Sequence, residues 1–237
     1  MSQGVFGYII GKKKRMMNVQ YDATLSWQVL VREIYVLMKH YGSKEALKDV
    51  FETIKVTPKM PKESDIEKCK YFTDFELLND ERIKWQGLLR FCQISFINLL
   101  ESGYILNEKE ESGYIFMLDF NKGTIKYYLK EYNKIKELNQ ATFEEIMEFE
   151  EMPKKKYTEI VSEMRENFND FYEKFTKVQT EIEKLNILMK ETKRQGAANI
   201  EYKVKKLLDD MKFEERQLNK NRRVFYNRLK ALDLIEE

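Results

Sequence analysis

The side chains best suited to chemistry are scarce in this chain. It carries one histidine, His40, and two cysteines, Cys69 and Cys92. A zinc site needs four such ligands at short paired spacings, and no Cys-x-x-Cys occurs, so the sequence predicts no metal centre. The two thiols read as ordinary cysteines of a reducing compartment. His40 falls near the C-terminal end of a predicted helix, where an imidazole faces solvent or offsets the helix dipole more often than it serves as a base. Carboxylates are plentiful at Glu144, Glu145, Glu148, Glu150 and Glu151. They alternate with Phe143, Ile146, Met147 and Phe149 at helical spacing, which is the pattern of a solvated helix face and not of an acid–base pair. The nearest approach to a phosphate loop, Gly7 to Lys13, has three residues between its glycines where four are required, and Lys13 stands where Ser or Thr should be. Neither a dinucleotide fingerprint nor a nucleophile elbow is present. The residues therefore predict no catalytic group, no cofactor site and no enzyme.

What these residues hang on reads as helix. Of 237 residues, 9 are glycine and 3 proline, too few for a turn-rich sandwich or barrel. Thr24 is placed to cap a helix with Trp27, Leu30, Val31, Ile34 and Met38 on one face, stopped at Gly42. Ser43 opens a second helix bearing Leu47, Val50, Phe51 and Ile54. Pro58 and Pro61 break the pattern. Thr73 and Glu76 form a capping-box pair for a long helix that runs through Trp85 and Leu99 to Gly103. The run from Tyr114 to Phe120 fits a short strand or a buried helical turn, and helix with loops is preferred. Ile125, Tyr128, Leu129, Tyr132 and Ile135 return to helical spacing, and Thr142 with Glu145 caps a short acidic helix.

The C-terminal third is the most regular. Met164, Phe168, Phe171, Phe175, Val178, Ile182, Leu185 and Met189 step by fours and threes, and Ile200, Val204, Leu207 and Met211 resume the steps beyond Gly196. A seam this narrow, flanked by charge, needs a partner helix from its own chain or another, and these twelve residues are the expected partner-binding seam. Two geometries satisfy it: an antiparallel hairpin turning between Gln195 and Asn199, or one helix of about 80 residues and about 120 Å. Because the step from Met189 through Gly196 to Ile200 keeps phase, the long and bent helix is preferred. The predicted fold is mainly α: an elongated helical protein with a long C-terminal coiled-coil-like helix or helical hairpin. Its divisions are a basic tail over residues 1–22, a helical region over 23–152 and the heptad arm over 153–237.

Charge adds little. Forty-two basic side chains oppose 40 acidic ones, and the balance of +2 does not call for a nucleic-acid partner. Short basic clusters stand at Lys12 to Arg15, Lys154 to Lys156, and Arg222 and Arg223. The first lies in a 21-residue stretch with four basic and no acidic side chains, compatible with mitochondrial import or with a disordered or partner-bound tail. The most apolar stretch, Trp85 to Leu100, contains Arg90, Gln93 and Asn98 and is too short for a membrane span, so a buried core helix is expected.

Two stretches together resemble subunit d of the mitochondrial F-type ATP synthase. In residues 25–63, Trp27 opens a helix, and Asp49, Phe51, Glu52, Lys55, Val56 and Pro58 match the family's acidic-aromatic helix and the short segment that follows it. In residues 131–160, the family has a charged helix, a capped turn, a short acidic helix and a Lys-rich step like Pro153 to Tyr157. The heptad arm beyond is an extension. The resemblance implies a non-catalytic peripheral-stalk (stator) protein, peripheral on the matrix side of the mitochondrial inner membrane. It would pack on subunit b and approach the oligomycin-sensitivity-conferring subunit, so that the catalytic head resists rotor torque. The alternative is a coiled-coil scaffold subunit of another large assembly, cytoskeletal or ciliary.

Overall fold

The computed structural model describes residues 4–19, 27–57, 62–72, 95–106, 113–131, 134–149 and 153–220, together with Trp85, Leu89, Lys230 and Leu232. Its organising element is a sheet. Strands β1 (Gly4–Ile10) and β2 (Lys13–Val19) form a hairpin, and β5 (Gly113–Asp119), β6 (Thr124–Glu131) and β7 (Lys134–Thr142) form a meander. The order across the sheet is β2-β1-β5-β6-β7, with β1 and β5 parallel and the other pairs antiparallel. A second, two-stranded parallel ladder joins β3 (Lys55–Val56) to β4 (Tyr104–Ile105).

Helices cover one face of the large sheet. These are α1 (Trp27–Tyr41), α2 (Lys44–Glu52), α3 (Glu63–Cys69), α4 (Phe96–Ser102) and α5 (Phe143–Glu148). Leu30, Ile34 and Leu37 of α1, Leu47 and Phe51 of α2, and Phe96 and Leu99 of α4 share one core with Tyr8, Met17, Phe116, Leu118 and Ile125 of the sheet. Phe51 is at its centre, with ring centroids 5.2 Å from Tyr8, 5.1 Å from Phe120 and 6.1 Å from Phe96. Val5, Met16, Ile115 and Met117 form a smaller buried cluster on the opposite side of the strands. Strand β5 is therefore buried on both faces, which is why its sequence is a continuous apolar run instead of an alternation.

The expectation of a mainly α, elongated helical protein is overturned by this sheet; the chain has an α/β architecture. Residues 4–19, read as part of a basic tail, are its first hairpin, and the region expected to be helical over 23–152 contains five of the strands. The Tyr114–Phe120 run is strand β5 and its first turn residue, not helix and loop. In β6 the apparent helical spacing of Ile125, Tyr128 and Leu129 is incidental. Ile125 and Tyr127 lie on the core side, where Tyr127 stacks on its cross-strand partner Phe116 at 4.2 Å, whereas Tyr128 packs against the smaller cluster. The expected long core helix through Trp85 to Leu100 does not run unbroken. Ser95 has extended backbone (φ −151°, ψ 160°), and its hydroxyl accepts from the Asn98 amide to begin α4.

The basic N-terminal cluster has a place in this design. Lys13, Lys14 and Arg15 lie on β2, at one edge of the sheet, and Lys134 and Lys136 lie on β7 at the other. Charged edges discourage pairing with another chain, and β7 adds a register shift opposite Tyr127 and Tyr128 that spoils its regularity. Inside the sheet, Gly7 faces Met16, and a Cβ at this glycine would lie 2.3 Å from the Arg15 carbonyl oxygen. No larger residue lets β1 and β2 approach this closely.

Several local signals hold. Gly42 donates to the Met38 carbonyl just past the end of α1, and the Ser43 hydroxyl accepts from the Ala46 amide to open α2. Thr142 and Glu145 form a reciprocal box, with amide-to-side-chain distances of 3.1 and 2.7 Å. Thr24 and the Thr73–Glu76 pair lie outside the described residues.

Candidate functional site: the helical hairpin and the groove at its base

Beyond Pro153 the chain forms α6 (Tyr157–Gln195) and α7 (Ala198–Lys220), which return on each other as an antiparallel hairpin. The preferred continuous helix is thus replaced by the hairpin geometry. Gly196 supplies the turn: it adopts φ 66°, ψ 23°, a left-handed conformation that costs a side-chain-bearing residue but not glycine. Its amide donates to the Lys193 carbonyl and that of Ala197 to the Thr192 carbonyl, satisfying the last turn of α6. Across the hairpin, Lys193 pairs with Glu201 at 3.8 Å, and Gln179 donates a hydrogen bond to Glu215.

The twelve expected seam residues divide among four environments. Met164 belongs to the main core with Tyr157, Ile160 and Val161, so the first two turns of α6 are part of the α/β body. Phe168 and Phe171 form a cluster with Tyr71 and, at its margin, Phe175 and Leu218. Val178 and Ile182 meet Leu208, bordered by Leu185 and Met211, while Val204 is also buried and Met189 is half-buried. Ile200 and Leu207 depart from the expectation, being 50% and 53% exposed. The reason is phase. Counting heptads through Gly196 assumes one helix axis, but the turn reverses the axis and presents Val204, Leu208, Met211 and Leu218 to α6 instead. Leu208, which the heptad count missed, is signalled only by its four-residue spacing from Val204. At 100° per residue, Ile200 and Leu207 fall at one margin of the stripe containing Val204 and Met211. The Gln179–Glu215 and Lys193–Glu201 pairs set Leu188, 41% exposed, level with Leu207. The closed hairpin therefore keeps an exposed apolar edge of Leu188, Ile200 and Leu207. Tyr202 and Phe213, 72% and 58% exposed, lie on the far side of α7.

The base of α6 is bolted to α1 and α4. The Tyr157 hydroxyl donates a hydrogen bond to Glu101, and Arg165 pairs with the other oxygen of that carboxylate at 3.0 Å. Burial first, and the Glu101 carboxylate second, hold the Tyr157 phenol far above its ordinary pKa. Burial likewise raises Tyr41. His40 is exposed and stacks on the Tyr157 ring at 4.5 Å, so it is a solvent-side aromatic neighbour at the end of α1. Between the last turns of α1 and the first turn of α6 lies a groove of about 420 Å³. Its walls are Tyr35, Val36, Lys39 and His40 on one side and Pro153, Lys154, Lys155, Lys156, Tyr157 and Thr158 on the other.

No catalytic constellation is assembled among the described residues. Glu144, Glu145 and Glu148 are exposed on α5, Glu150 and Glu151 lie outside the described residues, and Glu145 is occupied in its capping box. Cys69 is buried in the core, and Cys92 lies outside the described residues. Among the described residues no group of three or more His, Cys, Asp or Glu is arranged to hold a metal ion, and no helix is long and apolar enough to cross a membrane. Comparison with protein-family models, with curated proteins and with solved structures finds no match.

Proposed function

We propose that this protein is a non-catalytic interaction subunit of a larger assembly, in which the α/β body holds a helical hairpin out for a partner helix. The observation that carries this is the exposed edge of Leu188, Ile200 and Leu207 beside a stripe that is already closed. Two helices bury only the stripe between them. A third helix laid along this margin converts the pair into a three-helix bundle and covers the three side chains, the helix-in-groove mode of recognition. The double variant Ile200→Asp/Leu207→Asp tests it in the tagged full chain. Native mass spectrometry of the purified complex is expected to show loss of one specific subunit with the hairpin still helical. An unchanged complex would sink the proposal.

In its most specific form the assembly is the mitochondrial ATP synthase, at the peripheral stalk on the matrix side of the inner membrane, with subunit b and the oligomycin-sensitivity-conferring subunit as the partners. Its support is the likeness over residues 25–63, whose described part, residues 27–57, holds α1, α2 and β3. The second stretch supports it less, since residues 134–142, placed against a charged helix of the family, form strand β7. The same mass spectrometry separates this form from a cytoskeletal or ciliary scaffold through the identity of the subunit lost.

A further inference from the structure

The charge lining the groove at the base of α6 has one sign. Lys39, Lys154, Lys155 and Lys156 line it, and no carboxylate among the described residues does. Lys155 is engaged by Glu163 at 2.9 Å, which leaves it beside the groove but largely neutralised. Lys39 lies over the Tyr35 ring at 5.5 Å and offsets the negative C-terminal end of α1. Lys154 and Lys156 are exposed, and their ammonium groups pair with no carboxylate among the described residues, while Glu159 in the first turn of α6 accepts from the Lys156 backbone amide at 2.8 Å. They flank the point where a 39-residue helix begins, so its dipole adds to their charge. Elsewhere in the chain, lysines alternate with acids along helix faces, as in Lys174 with Asp170 and Lys184 with Glu181. The floor is rigid and apolar: Val36, Pro153 and the Tyr157 ring, which is fixed by Glu101 on its hydroxyl and His40 on its face. A volume of about 420 Å³ is in the range of small-ligand sites.

We infer that this groove binds a small ligand carrying two or more clustered phosphate groups, held by Lys154 and Lys156 with Lys39 on the facing wall. One phosphate satisfies at most the two lysines of one wall, whereas cations on both walls call for an anion long enough to bridge them. The ligand is either a free polyphosphate ester or a polyphosphorylated lipid headgroup, which share this chemistry. The inference does not depend on the partner proposed for the hairpin edge, since Leu188, Ile200 and Leu207 are absent from the groove.

The test is isothermal titration of the full chain with inorganic tripolyphosphate, alongside flotation with phosphatidylcholine vesicles with and without phosphatidylinositol bisphosphate. Lys154→Ala/Lys156→Ala is compared with Lys205→Ala/Lys206→Ala, a control pair exposed on α7. Removing one charge-assisted hydrogen bond weakens binding about tenfold, so the groove variant should bind roughly a hundredfold more weakly and the control should bind as the parent chain does. Binding of tripolyphosphate identifies a free ligand, and binding to the phosphoinositide vesicles alone identifies the headgroup; both outcomes support the site. Absence of binding in both arms at about 1 mM ligand overturns it. So does an equal loss in the control pair, which would mean diffuse surface charge. Far-UV circular dichroism of each variant excludes unfolding as the cause of a loss.

Discussion

Ile182 and Leu207 stand in the same heptad seam when the chain is read as one helix, and the hairpin separates them. Ile182 is 8% exposed between Val178 and Leu208, whereas Leu207 is 53% exposed at the margin. Replacing Ile182 by aspartate removes an aliphatic group whose burial is worth about 1.5–3 kcal/mol and puts a carboxyl group in its place, for a total of about 3–5 kcal/mol. Packed on α6 through Val204, Leu208 and Met211, α7 loses a central contact, and local opening needs less free energy than global unfolding. At 1.4 kcal/mol per decade, amide hydrogens over residues 198–220 should exchange about two to three orders of magnitude faster in Ile182→Asp. The core strands β1 and β5 should keep their protection. In Leu207→Asp the same amides should change by less than about 0.5 kcal/mol, the usual range for surface positions. Hydrogen exchange followed by mass spectrometry reads both variants in one experiment. If Leu207→Asp deprotects 198–220 as much as Ile182→Asp does, the register of the hairpin is wrong. A continuous helix with both residues on one seam would then be the better structure.

Two further outcomes are expected. Gly7→Ala forces a Cβ to within 2.3 Å of the Arg15 carbonyl, and the strands must part to admit it. A loss of about 1–3 kcal/mol in urea denaturation is expected, against near neutrality if the strands are not this close. The alkaline limb of stability is set by buried phenols. Tyr157 and Tyr41 are raised above the ordinary value of 10.0, and Tyr8 is pushed up to about 12. Folding thus favours their protonated forms, so stability is level below pH 10 and falls as pH climbs above it. Tyr157→Phe should flatten part of that fall while costing roughly 1–2 kcal/mol at neutral pH through its missing hydrogen bond to Glu101. An unchanged alkaline slope in this variant would refute the assignment.

Helix ends were legible from sequence because a cap is a local event: Ser43, Gly42, Gly103 and the Thr142–Glu145 pair each act within a few residues. The sheet was hidden for two reasons. Strand β5 is buried on both faces and so lacks alternation, and β6 carries apolar residues on both faces, with Ile125 and Tyr127 on one and Tyr128 on the other. Such runs satisfy a helical template as readily as a strand. The scarcity of glycine also misled, because six of the described glycines have positive φ and are spent at the ends of elements, where a few suffice. Of the candidate site, the apolar stripe was readable as a seam. Its closure within the chain was not, since the turn at Gly196 sets which residues face inward. The basic groove was legible only as the cluster Lys154 to Lys156; its opposing wall comes from α1, more than a hundred residues earlier.

The parallel pairing of β1 with β5 has a consequence for synthesis. The Gly11 amide bonds to Asn121 across 110 residues of chain, and Asn121 donates back to the Gly11 carbonyl. The first hairpin leaves the ribosome long before the strand that must lie beside it. At about 5–20 residues per second, it waits roughly 5–20 s with Val5 and Ile9, whose cluster partners Ile115 and Met117 lie on β5, uncovered. The first hairpin is thus made well before the strand that shelters it. Ribosome-associated chaperones should engage it on nascent chains that end before β5 and release it once β5 has emerged.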